Sequence, residues 1–173
     1  MKQFTRTMWR SAAVIVGLAS AGLAGAGDAP TAAEQMTGLE TMCADSQEAR
    51  IQRQAENPLF VRLGEYDKIH EFTTEIVRLH NINPDFTRFM GDIDGDKLAT
   101  DVADFLSTGT GGPDVYTGRD MPSAHAHLEL STGDFLSAGS DVTKAMHNMG
   151  YGEEEIQEVI CILVSMKDLV ITK

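Results

Sequence analysis

Apolar positions recur at helical spacing along most of the chain. Ile69, Phe72, Ile76 and Leu79 lie three and four residues apart and predict an amphipathic helix that ends near Asn83-Pro84. Phe86, Phe89 and Met90 form a short apolar turn. Leu98, Val102, Phe105 and Leu106 predict the next helix, which Gly109, Gly111, Gly112 and Pro113 break. A loop-rich segment with Tyr116, Met121, His125 and Leu128 follows. Ser131 and Asp134 have the spacing of a capping box, in which the hydroxyl caps the helix and the acid reaches back. The helix they open carries Phe135, Val142, Met146 and Met149 and stops at Gly150 and Gly152. Glu153, Glu154 and Glu155 then sit where the positive end of a helix attracts acids, ahead of Ile156, Val159, Ile160, Leu163 and Val164. No stretch alternates as a strand and no segment repeats. The pattern predicts an all-α domain of about six helices with a glycine-broken middle.

The ends of the chain read differently. In residues 1–26, Lys2, Arg6 and Arg10 precede a short apolar run from Ala12 to Ala19, and Ala24-Gly25-Ala26 is a small-residue cleavage pattern. That order describes a secretory signal peptide. A membrane anchor is the alternative, but a span takes about 20 apolar residues and this run is shorter and weakly hydrophobic. Cleavage near Ala26 predicts an exported protein, in the periplasm of a bacterium, with no membrane anchor. Residues 27–54 are polar, and Met36, Leu39 and Cys43 make only a thin helical stripe. They are expected to form a partly helical extension outside the main core, with Asn57-Pro58 as the boundary and residues 55–173 as the main domain.

Charge narrows the choice of partners. The formal net charge is −12, and the leader holds three basic residues and no acidic one, so its removal leaves 11 basic against 26 acidic residues, a charge of −15. Such a surface repels nucleic acid and anionic membranes. It favours solubility or a basic protein partner. The two cysteines, Cys43 and Cys161, form no Cys-x-x-Cys or Cys-x-x-Cys-His motif, which excludes the usual thiol redox site and c-type haem attachment. An oxidising compartment would permit a disulfide between them; two unrelated buried thiols are the alternative.

Two apolar-faced helices, a glycine loop, a histidine in a loosely structured segment and two long helices suit a haem pocket. Haem needs apolar walls on both faces and a neutral imidazole for its iron. Asn57-Pro58-Leu59-Phe60-x-Arg62-Leu63-Gly64 resembles the opening of group I truncated haemoglobins. Gly111-Gly112-Pro113-x-x-Tyr116-Thr117-Gly118-Arg119-x-Met121-x-x-x-His125 resembles their glycine loop and proximal-histidine segment. The resemblance runs from Asn57 to the end of the chain. It implies a shortened globin fold, two helices over two, with one non-covalent haem b and His125 as the iron ligand. It also implies a pocket lined by Phe72, Val77, Phe89, Met90, Leu98, Val102, Phe105, Tyr116, Met121 and Leu128 with His125.

The chain departs from that family pattern on the ligand side. Val77 stands where many members have Tyr, and Leu98 and Val102 where Gln is frequent. The usual aromatic pair reads Phe89-Met90. The implied function is therefore binding of a small diatomic ligand (oxygen, nitric oxide or carbon monoxide) or electron transfer with a redox partner protein. An enzyme, a nitric-oxide dioxygenase or peroxidase, would want the missing donors. A haem-less helical protein-binding module is the third reading.

Other motifs are weaker. His125 and His127 could share zinc on a strand, but on a helix they diverge by about 200°, so His127 is expected at solvent or a haem propionate. His80, one turn beyond Val77, is either a surface or helix-end histidine or a residue reaching the iron from the other side. Asp92-x-Asp94-x-Asp96 lacks the Gly and Glu of a calcium loop, having Lys97 and Ala103 there, and is expected as a solvated turn at a helix start. The scattered methionines fit core packing better than copper.

Overall fold

The computed structural model describes residues 29–173, so the expected leader at residues 1–26 lies outside the described residues. Among the described residues there are nine α-helices: α1 (Ala32–Asp45), α2 (Gln47–Glu56), α3 (Leu59–Arg62), α4 (Glu65–Ile82), α5 (Gly95–Gly109), α6 (Met121–His125), α7 (Thr132–Asn148), α8 (Glu153–Ser165) and α9 (Lys167–Val170). Thr87–Phe89 and Ala126–Leu128 are single 3-10 turns. Helix α4 packs on α5, α7 packs on α8, and α4 crosses onto α7, giving one pair of helices laid over another. The apolar stripes explain this. Ile69, Phe72, Ile76 and Leu79 of α4 meet Leu106 of α5, Met146 of α7 and Val159 of α8 in one core. Each large side chain buried there contributes about 1.5–3 kcal/mol.

The helix starts follow local chemistry. Asp94 caps α5, its carboxylate accepting from the Lys97 N–H at 3.1 Å, so the acidic run ends in a helix start. The Ser131–Asp134 capping box opens α7. Gly111 has φ +100°, a left-handed conformation that glycine adopts without a steric penalty, and it turns the chain out of α5. Among the described residues no helix is long and apolar enough to cross a membrane.

The extension differs from expectation. It is helical almost throughout, and α1 packs against α7 and α8. Met36 and Cys43 are buried, so α1 belongs to the core rather than lying outside it. A thin stripe suffices because it is covalently fastened: Cys43 and Cys161 of α8 form a disulfide, with S–S 2.04 Å and Cα–Cα 5.4 Å. Helix α2 buries no residue of its own and is held by ions instead. Glu158 of α8, only 4% exposed, lies 2.6 Å from Arg53 of α2 and 2.6 Å from Arg62 of α3. Arg62 also reaches Glu155 at 2.8 Å. A buried carboxylate flanked this way is costly to leave unpaired, about 3–5 kcal/mol when one partner is removed.

Candidate functional site

A cavity of about 820 Å³ opens between α4, α5, α6 and α7, within the ordinary range for small-molecule and cofactor sites. Val77 of α4, Leu98, Val102 and Phe105 of α5, and Phe89 and Met90 of the turn between them form one side. Tyr116, Met121, His125 and Leu128 come from the segment after the glycine loop. All of these are residues expected at the site from the sequence. Phe72 is the departure: it is fully buried in the main core, its ring edge-on to Tyr151 at 5.9 Å, and it does not line the cavity. It sits on the half of the α4 stripe that faces α8, while Thr73, Val77 and His80 follow the other half to the cavity.

The segment carrying His125 is placed by small local devices. Asp120 caps α6, accepting from the Ser123 N–H at 2.7 Å, and Pro122 supplies a first-turn residue that needs no donor. The Tyr116 ring stands edge-on to Phe105 at 5.4 Å, and its hydroxyl donates to the Arg119 carbonyl at 3.0 Å. Gly118 permits this, since a Cβ there would come within 2.3 Å of the Tyr116 hydroxyl. Within α6, the Nδ1 of His125 lies 2.9 Å from the Met121 carbonyl oxygen. A carbonyl only accepts, so Nδ1 carries the proton and Nε2 keeps its lone pair. A backbone carbonyl behind one ring nitrogen is the usual way to orient an imidazole that ligates a metal through the other.

The wall made by α4 and α5 offers few hydrogen-bond donors. The Thr73 hydroxyl is occupied by the Ala99 carbonyl at 2.8 Å. Asp101 pairs with Lys97 at 2.6 Å. Exposed Lys97, Arg119 and His127 put positive or protonatable groups on the lining.

His80 is the buried imidazole of this wall. It stands in the last turn of α4, as a helix-end histidine, but at 9% exposed it is buried and not on the surface. Its Nδ1 lies 2.8 Å from Asp141 Oδ2 on α7, and its ring stacks on Phe86 at 4.3 Å. Asn83 donates to the same Asp141 oxygen at 2.8 Å and to Ser137 at 3.0 Å. Burial pushes the His80 pKa down, against the pull of Asp141. Asp134, a buried acid that lines the cavity, is pushed up by burial, but its bonds to Ser131 and its pairing with Arg88 outweigh that and hold it ionised. Sequence reasoning missed Asp141. The available signal was an acid beside Val142 and one turn before Ala145 on the buried face of α7, where only a partner makes a charge tolerable.

A second groove of about 680 Å³ lies between α1, α7 and α8, but no histidine or cysteine lines it, which leaves the larger cavity as the place for ligand chemistry.

No family model matches the sequence, and neither does any curated protein. Solved structures do match. A truncated haemoglobin from Tetrahymena pyriformis, in the Fe(III) form, aligns with TM-score 0.64 at 19% identity, over 68% of this chain and 100% of that one. The 2/2 haemoglobin from Synechococcus sp. PCC 7002, in the cyanomet state with covalently attached haem, aligns with TM-score 0.63 at 21% identity, over 67% of this chain and 99% of that one. The helices laid two over two around this cavity are therefore those of a truncated globin, and the chain has the truncated-haemoglobin fold.

Proposed function

We propose that the cavity holds one haem b without a covalent link, with His125 Nε2 as the protein ligand to its iron. The observation that carries the reading is the His125–Met121 hydrogen bond, which fixes the ring with its lone-pair nitrogen available at an apolar cavity of cofactor size. Phe89, Met90, Phe105 and Val142 supply the apolar walls a flat macrocycle needs. Lys97, Arg119 and His127 suit its carboxylate side chains. Both cysteines are joined to each other, so neither is available for a thioether. When bound, the group supplies an iron that takes a small diatomic ligand or one electron.

The protein's own residues do the rest. Val77, Leu98 and Val102 line the cavity and offer no donor to a ligand there. The function supported best is therefore reversible binding of a diatomic gas, nitric oxide before stored oxygen, or electron transfer with a basic redox partner that the acidic surface attracts. Export is part of the same reading. It is supported by the leader-like residues 1–26 and by a disulfide, which persists in oxidising compartments. The deciding measurement is the absorption spectrum of the purified protein, oxidised, reduced and under carbon monoxide. A colourless protein that does not take up haemin in a 1:1 ratio would end the reading. A mature N-terminus at Gly27 is the expected mark of export.

A further inference from the structure

His80 and Asp141 form a buried pair that the proposed function leaves unused. The ring lines the cavity from α4. Its Nδ1 is committed to Asp141, so Nδ1 carries the proton and Nε2 is the nitrogen left for the cavity. Among the described residues Nε2 has no hydrogen-bond partner. Asn83, which also donates to the Ser137 hydroxyl, holds Asp141 in place from behind, and Phe86 packs against the ring. The acids of the lining are committed, Asp134 with Arg88, Asp101 with Lys97 and Asp94 as a helix cap, and the other imidazole that faces the cavity from a part-buried position, His125, belongs to the proposed iron site. His80 is thus the one buried imidazole in the wall, backed by a carboxylate in the way that prepares a histidine to accept a proton.

The geometry points to His80 as the proton acceptor for weak protic acids entering this cavity, with Asp141 as its positioning residue. The ligand class is a small molecule H–X that is neutral in solution and binds as its anion, such as hydrogen cyanide, hydrogen sulfide or hydrogen peroxide. The H–X bond breaks, the proton passes to His80 Nε2, and the electron pair stays on X. The new imidazolium faces the Asp141 carboxylate, so the pair changes from one buried negative charge to none. On release the proton returns by the same path. No oxidant or reductant enters the step. Burial, which keeps the free ring neutral, leaves the lone pair available at neutral pH. Oxygen, nitric oxide and carbon monoxide carry no proton, and an Nε2 lone pair offers them nothing. The cavity would therefore discriminate by protic character and not by size.

The inference rests on the haem reading, and the experiment separates the two. Protein that shows no haem spectrum fails that reading before any ligand is added. On oxidised haem-loaded protein, association rates are measured with cyanide and with nitric oxide, and their ratio is compared between the native chain, His80→Leu and Asp141→Asn. General-base assistance is commonly worth about 100-fold or more, so the cyanide to nitric oxide ratio should fall at least about tenfold in both variants. Raising the pH until cyanide is already ionised should restore it. If His80→Leu does not fold, His80→Gln serves in its place. Nitrogen NMR of the carbon monoxide complex should show His80 protonated at Nδ1 and bare at Nε2. An unchanged ratio, an equal slowing of both ligands, a proton on Nε2, or a six-coordinate native spectrum that disappears in His80→Leu would each overturn the proposal.

Discussion

Two parts of this molecule are held in opposite ways. Helices α1, α7 and α8 are packed through residues such as Ala145, Met146 and Val159, each fully buried, and a disulfide ties α1 to α8. The segment Met121–Leu128, which carries His125, contains no buried residue in α6 or in the 3-10 turn after it. It is placed by a cap, a proline and the parallel bridge that joins Leu130 to Ile171 just beyond it. The first part would keep its shape with the cavity vacant. The second faces a space of about 820 Å³ and lacks the apolar contacts that would complete its packing. A rigid frame beside an under-packed arm is what the proposed haem site requires: a bound haem would supply the missing core of the arm, and the frame would set where it sits.

The largest effect should come from removing the imidazole proposed as the iron ligand. His125→Ala removes it, while His127, exposed in the 3-10 turn that follows α6, is not expected to replace it. The expected outcome is near-complete loss of haem from purified His125→Ala and normal haem content in His127→Ala. Amide hydrogen exchange sharpens the contrast: residues 121–128 should slow markedly when haem is added, and α8 should change little. The opposite haem pattern in the two variants would remove the assignment.

The frame should fail differently. The disulfide spans 118 residues of sequence, and the chain-entropy model gives about 4 to 5 kcal/mol for a loop of that size. Cys43→Ala with Cys161→Ala should therefore lower the unfolding free energy by up to that amount in a denaturant titration. The haem spectrum at low denaturant should stay the same. If haem affinity fell as far as stability did, the two parts would not be separable.

How much of this was legible in the sequence depends on how local the cause is. The capping box at Ser131, the break at Asn57-Pro58 and the stripes of α4 and α8 follow from neighbours within one or two turns, and the expected elements match. The His125 segment was placed at the cavity by the resemblance, which rests on glycines, Tyr116 and Met121 at matching separations from it. The disulfide between Cys43 and Cys161 offered from the sequence is present, but the packing of α1 into the core was missed because its partners on α7 and α8 lie far along the chain. Phe72 was misplaced because periodicity identifies the buried side of α4 but not which half of that side turns to the cavity. His80 needed the approach of α7 to α4 to become buried, and only that approach reveals Asp141 as its partner.

A smaller effect tests the apolar wall that α4 and α5 give the cavity. With Val77, Leu98 and Val102 at the cavity, oxygen finds no donor from them. A buried hydrogen bond to a charged group is worth about 1.5–3 kcal/mol, so Val77→Tyr should slow oxygen release by roughly one to two powers of ten. Carbon monoxide, which is less polar, should respond less. A native protein that already releases oxygen as slowly as the variant would show that another group supplies the donor.

The smallest effect expected is on stability against pH, and it sits where frame and cavity meet. His80 is buried in the folded state, and burial lowers its pKa from the ordinary 6.5, with Asp141 opposing the shift. Between the folded and unfolded values, the unfolded chain binds more protons than the folded one, so stability rises with pH through that window. The contribution is complete above 6.5 and is lost as the pH falls from there toward the lower folded value. His80→Leu removes the group from both states. Denaturant titrations of haem-loaded protein at neutral and mildly acidic pH should therefore show a larger acid-side loss in the native chain than in the variant. Because Asp141 opposes the burial, the difference is expected to be modest. Equal losses would mean that Asp141 balances the burial fully, and a larger loss in the variant would mean that the pair is stabilised in its protonated form.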